Sequence, residues 1–182
     1  MKDARPQGTP LDLSIRASTG RAFVPYLRRH LRSAHALLDP PLRELSVAIV
    51  GDARMGELHE RFMNIPGPTD VLTFPLDHDA RNRPTSGEVV VCLPEARRNA
   101  RAHGIEPRAE LLLYAIHGML HLCGFDDTTR RAFERMHAME DHLLTTLGVG
   151  AVFRRQDLPD KSVRAAVAAK RRAVRQNPRG GR

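Results

Sequence analysis

The chain has 182 residues, 41% of them apolar and 27% charged, enough for one domain with a core of its own. Its 29 lysines and arginines against 21 acids give a formal charge of +8, which fits a polyanionic partner; ten of those basic residues and only two acids fall between 154 and 182, so residues 1–153 are neutral in sum. Two cysteines in apolar stretches, Cys92 and Cys123, exclude a disulfide framework, and no signal-peptide core or membrane-length apolar run is visible, so a soluble, cytoplasmic protein with no membrane contact is expected.

Residues 1–20 read as a flexible N-terminal arm whose alternation at Leu11, Leu13 and Ile15 leads into an edge strand. From Phe23 to Leu38 apolar residues recur every three or four positions, predicting an amphipathic helix closed by Asp39-Pro40-Pro41. LSVAIV (45–50) predicts a strand, Gly51-Asp52 a turn and helix start, and a helix follows to about Met63. A turn-rich loop (64–70) precedes a short strand, VLTFP (71–75), and residues 77–87 read as a mobile surface loop. The continuous apolar run GEVVVCL (87–93) predicts a strand buried on both faces. Pro94 and Pro107 each open a helix, ending near Gly104 and at Gly124, and a last helix spans Thr128 to Leu147, with Phe133, Met136, Leu143, Leu144 and Leu147 facing inward. Strands mixed with helices in this order predict an α+β domain over 21–153, a small mixed sheet packed with about five helices. The basic stretch 154–182 lacks an apolar face and is expected to be disordered.

The chemistry concentrates in HGMLHLCGFDD (117–127). On a helix His117 and His121 project from one face a turn apart, as two ligands of one zinc ion would, and Gly124 can end the helix so that Asp127 returns as a third. The competing reading makes one histidine a satisfied core residue and the aspartates a cap for the next helix; spacing alone leaves both open. A metalloprotease of the HExxH type needs glutamate after the first histidine, and Gly118 stands there.

HGMLHLCGFDD resembles the HGxLHLxGYDH signature of the YbeY family, bacterial single-strand-specific endoribonucleases that mature rRNA. PTDVLTFP (68–75) is similar to that family's PTDVLSFP, GEVVVC (87–92) to its GDIxIC-like strand, and the resemblance covers roughly residues 40–150. It implies one Zn²⁺ at the C-terminal end of a central helix, held by His117, His121 and Asp127, which are thereby also the catalytic residues. The implied function is processing of the 16S rRNA 3′ end and ribosome assembly, with single-stranded RNA, the ribosomal subunit and assembly factors as partners. Two positions depart from the pattern: Asp127 replaces a histidine, and in LHERFM (58–63) Met63 replaces an arginine implicated in activity while His59 replaces an asparagine. Asp127→His is expected to keep zinc and lower the pH at which activity rises; an unchanged pH profile at full occupancy contradicts that. The alternatives are a non-catalytic RNA-binding assembly factor with a structural zinc and, third, a metal-dependent hydrolase of another substrate. Thr69, Asp70 and Thr73 are turn or cleft residues, and Arg97, Arg98 and Arg101 a solvated face or phosphate contacts. His137 and His142 carry no motif.

Overall fold

Alternation along the strands, and its absence in one helix, decide where the layers go. The computed structural model describes residues 10–152; residues 1–9 and 153–182, and with them the expected basic tail, lie outside the described residues. Strands β1 (Asp12–Ala17), β2 (Glu44–Val50), β3 (Val71–Pro75) and β4 (Ser86–Cys92) form one sheet in the order β1-β2-β4-β3. β2 lies parallel to both β1 and β4, while β3 runs antiparallel to β4, placing Val47 opposite Val89 and Val89 opposite Thr73. Of the alternating residues, Leu13 and Ile15 lie in β1, an edge strand, and Leu11 directly precedes it; both leucines are buried.

Five helices complete a single α+β domain: α1 (Val24–Leu38), α2 (Asp52–Met63), α3 (Leu93–His103), α4 (Pro107–Leu122) and α5 (Arg130–Thr146). Each boundary has a local cause. Proline occupies the first turn of α1, α3 and α4, where its missing N–H costs nothing. Asp39 closes α1 in the left-handed region at φ 43°, its N–H on the carbonyl of His35 at 2.9 Å, before two prolines forbid continuation. Inside α1, His35 is buried and its Nε2–H donates to the carbonyl of Leu42 at 2.7 Å, a satisfied core histidine.

The sheet's two faces differ. Leu45, Val47 and Ile49 of β2 and Val89 and Val91 of β4 join Leu27, Leu31 and Ala34 of α1 and most of α4 in the larger core. On the other face Val50, Leu72, Val90 and Cys92 meet Met55 of α2 in a small cluster. α4 is the central helix, with Leu111, Leu112, Ile116, Met119 and Leu120 fully buried; each such side chain contributes about 1.5–3 kcal/mol of transfer free energy. That all-round burial explains why its sequence lacks a polar stripe of the usual width.

Two expectations shift. α5 begins at Arg130 with Thr129 as its N-cap, the hydroxyl accepting from Ala132 N at 3.2 Å. Residues 77–85 form an ordered turn: Asp79 accepts from the N–H groups of Arg81 and Arg83, pairs with the Arg83 guanidinium, and His78 bridges to Pro84. A carboxylate able to collect several nearby donors outweighs the polar composition that reads as mobile.

Candidate metal centre

Gly118 sets the position of α4 against the sheet. A Cβ there would lie 2.6 Å from Val89 Cγ1 and 2.9 Å from Thr73 Oγ1, closer than any side chain permits. The helix therefore presses its backbone onto β3 and β4 between the two histidines, and His117 leaves it toward Glu140 of α5. Four residues apart, their rings meet edge to face at 4.7 Å between centroids.

Both rings are held from behind. His117 Nδ1–H donates to Glu140 Oε1 at 2.7 Å, and His137 Nδ1–H donates to Glu140 Oε2 at 2.5 Å. Glu140 comes from α5 and is wholly buried. Burial works against its charge, but the two histidines outweigh it and hold the carboxyl below its ordinary value. Burial likewise opposes a charged His117, yet Glu140, with further help from Asp70 and Asp127, lifts its pKa above the ordinary histidine value. His121 Nδ1–H donates to the carbonyl of Phe125 at 3.1 Å. That carbonyl is in reach because Gly124, at φ 90°, turns the chain back: Gly124 N–H bonds His121 O at 3.1 Å and Phe125 N–H bonds Leu120 O at 3.0 Å.

These bonds dictate the other nitrogens. Carbonyl and carboxylate oxygens only accept, so each Nδ1 carries a proton and each neutral ring points a lone pair from Nε2. The two Nε2 atoms face each other at 3.1 Å. Two lone pairs at that distance repel unless a cation lies between them, either a proton on His117 or a metal ion. Nitrogens bound at zinc's usual distance in a tetrahedron stand about 3.3 Å apart, close to the spacing here. Asp127 completes the group: ligand atoms of His117, His121 and Asp127 all lie within 4.8 Å of one another, the one such cluster found among the described residues. The donor set, two imidazoles oriented by acceptors plus one carboxylate, fits a divalent metal ion of the zinc type. Asp126 serves the turn instead, accepting from the N–H groups of Asp127 and Thr128 and from the Thr128 hydroxyl.

The remaining candidates separate. Asp70 Oδ1 accepts from Thr69 Oγ1 and Val71 N while its carbonyl takes Cys92 N, and its charge is felt at His117. Thr73 packs at Gly118 beside the histidines. His59 Nδ1–H donates to Gly67 O at 2.8 Å and pins the loop after α2. Arg98 forks onto Asp52 at 2.7 and 2.8 Å and also binds Glu95. Met63 ends α2 partly exposed, and Arg61 lies over the Phe62 ring, 5.5 Å from its centroid. Burial pushes the Cys92 thiol up to about 11 and that of Cys123 to about 12, so neither is a thiolate at neutral pH.

Sequence reasoning missed Glu140 and the role of His137. A signal existed: Met136, Glu140, Leu143 and Leu144 share one stripe of α5, and an acid on an apolar stripe must find a partner.

The sequence model of the family described as Endoribonuclease YbeY matches residues 18–148. A protein of that name from Acidothermus cellulolyticus is 41% identical over 116 residues, 58% of this chain and 71% of its own. Another from Thermobifida fusca is 37% identical over 148 residues, 78% of this chain and 89% of its own. A Thermotoga maritima protein solved in solution superposes with a TM-score of 0.52 at 27% identity, covering 75% of this chain and 91% of its own.

Proposed function

The chain belongs to the endoribonuclease YbeY family, and from that premise we propose that it is a zinc-dependent endoribonuclease cutting single-stranded RNA in rRNA maturation, at the 16S 3′ end, and in ribosome assembly. The observation that carries this reading is the pair of Nε2 atoms aimed at each other at 3.1 Å with the Asp127 carboxylate alongside. In it, His117, His121 and Asp127 hold one zinc ion in the catalytic domain, residues 21–153. Zinc held there would supply Lewis-acid chemistry to the phosphodiester. The protein's own contribution is orientation. Glu140 and the Phe125 carbonyl fix both ring tautomers, so that each Nε2 would present its lone pair to the ion. The 154–182 tail, ten cations against two acids, adds RNA affinity by counterion release that fades with salt. Its place is the cytoplasm, with ribosomal subunits and assembly factors as partners.

A second reading, an RNA-binding assembly factor with a structural zinc, is favoured by one position: Met63 stands where the family pattern has arginine. Cleavage of a single-stranded RNA by the wild type and by His121→Ala separates the two. The proposal expects cleavage that His121→Ala reduces by orders of magnitude; zinc bound with equal, negligible cleavage in both supports the assembly factor.

A further inference from the structure

We infer that Phe62, backed by Phe74 and Arg61, is a stacking platform for an unpaired nucleobase of the substrate strand. The inference rests on the RNA reading above and adds a subsite to it.

Of the four large apolar side chains exposed among the described residues, three cluster by sequence and register: Phe62 (48% exposed), Met63 (36%) and Leu76 (59%). Phe62 lies in the last turn of α2, and its ring meets Phe74 of β3 at 4.9 Å, inclined by 60°. Phe74 thus supports Phe62 from the sheet and leaves it nearly half exposed. Arg61 lies over the same ring, 5.5 Å from its centroid, so the surface pairs an aromatic ring with a cation. A nucleotide offers the complement, a flat base and a phosphate, and base stacking on aromatic rings is how proteins hold single strands whatever their sequence. Strand addition by a protein is a poorer fit, because β3 ends in Pro75, which has no N–H to offer.

Position joins this surface to the metal centre. β3 is one of the sheet's two edge strands, and neighbouring side chains on it point to opposite faces. Thr73 packs at Gly118 between the two histidines, while the next residue, Phe74, carries Phe62. A strand crossing this edge can rest a base on Phe62 while its backbone passes the histidines. Duplex RNA keeps its bases stacked inside and cannot present one there.

The test is fluorescence anisotropy with the full-length, metal-loaded chain, using a labelled single-stranded oligoribonucleotide made cleavage-resistant by 2′-O-methyl and phosphorothioate groups. Phe62→Leu keeps the apolar bulk and should weaken binding roughly tenfold, and Phe62→Tyr should restore it to within about twofold. An abasic oligomer should bind wild type and Phe62→Leu alike. Leu37→Ser, at an exposed apolar side chain on α1, serves as the control and should leave affinity unchanged. Wild type that binds and cleaves RNA while Phe62→Leu and Phe74→Leu bind it equally well overturns the platform alone, leaving the patch to a protein partner. Wild type that binds no single-stranded RNA overturns the RNA reading, and the platform with it.

Discussion

The two sides of β3 handle the same problem in opposite ways. Toward α4 the strand offers Thr73 to a bare glycine, and the chemistry there is locked: Glu140 is wholly buried and spends both oxygens on two imidazoles. Toward α2 it offers Phe74 to a ring nearly half exposed, over a cluster of only a few buried residues. Donor geometry on the first side comes from packing, whereas the proposed base platform on the second relies on surface the core leaves open. Substitutions should therefore split cleanly between stability and RNA binding according to the face they touch.

The strongest way to break that contrast is Glu140→Ala. It strips two half-buried histidines of their shared, wholly buried acceptor and should cost about 3–5 kcal/mol in chemical denaturation; a loss under 1 kcal/mol would mean the centre is not locked. The same pair predicts a pH signature in metal-free protein. Glu140 titrates below its ordinary 4.5, so its contribution is complete above that value and is lost as pH falls through the lowered one. His117 titrates above its ordinary 6.5, so its contribution is complete below 6.5 and is lost as pH rises through the raised value. Stability should therefore peak between those limits, and Glu140→Gln should flatten the profile.

Gly118→Ala comes next. Its methyl group would sit 2.6 Å from Val89, so α4 must lift off the sheet at about 1–3 kcal/mol, and the histidine spacing should loosen with it. Thr129→Ala removes the α5 cap and should cost about 1 kcal/mol by the same denaturation assay. Smallest is Phe62→Ala, expected within about 0.5 kcal/mol of wild type despite losing a whole ring, because the ring is half in solvent already. A larger loss would place Phe62 in the fold rather than on its surface.

Local signals made most of this architecture legible. VLTFP and GEVVVC became β3 and β4, and α2 runs from Asp52 to Met63 as turn and spacing predicted, because period and punctuation are properties of neighbours. The approach of His117, His121 and Asp127 was open from spacing alone and was implied only by the resemblance of HGMLHLCGFDD and PTDVLTFP to a family pattern; eleven residues and one glycine at φ 90° carry it. Glu140 was not, since its partner His117 lies 23 positions away and only the packing of α5 on α4 joins them. The Phe62–Phe74 contact was hidden likewise, set by how α2 crosses an edge strand that no sequence period reveals.

The central claim is that three side chains brought together at the end of α4 hold one metal ion, and elemental analysis of purified full-length protein tests it most directly. One zinc per chain in wild type, with His121→Ala and Asp127→Ala each markedly depleted, is the predicted result. A wild type free of zinc after purification and zinc reconstitution, or variants that keep the full complement, would contradict the account.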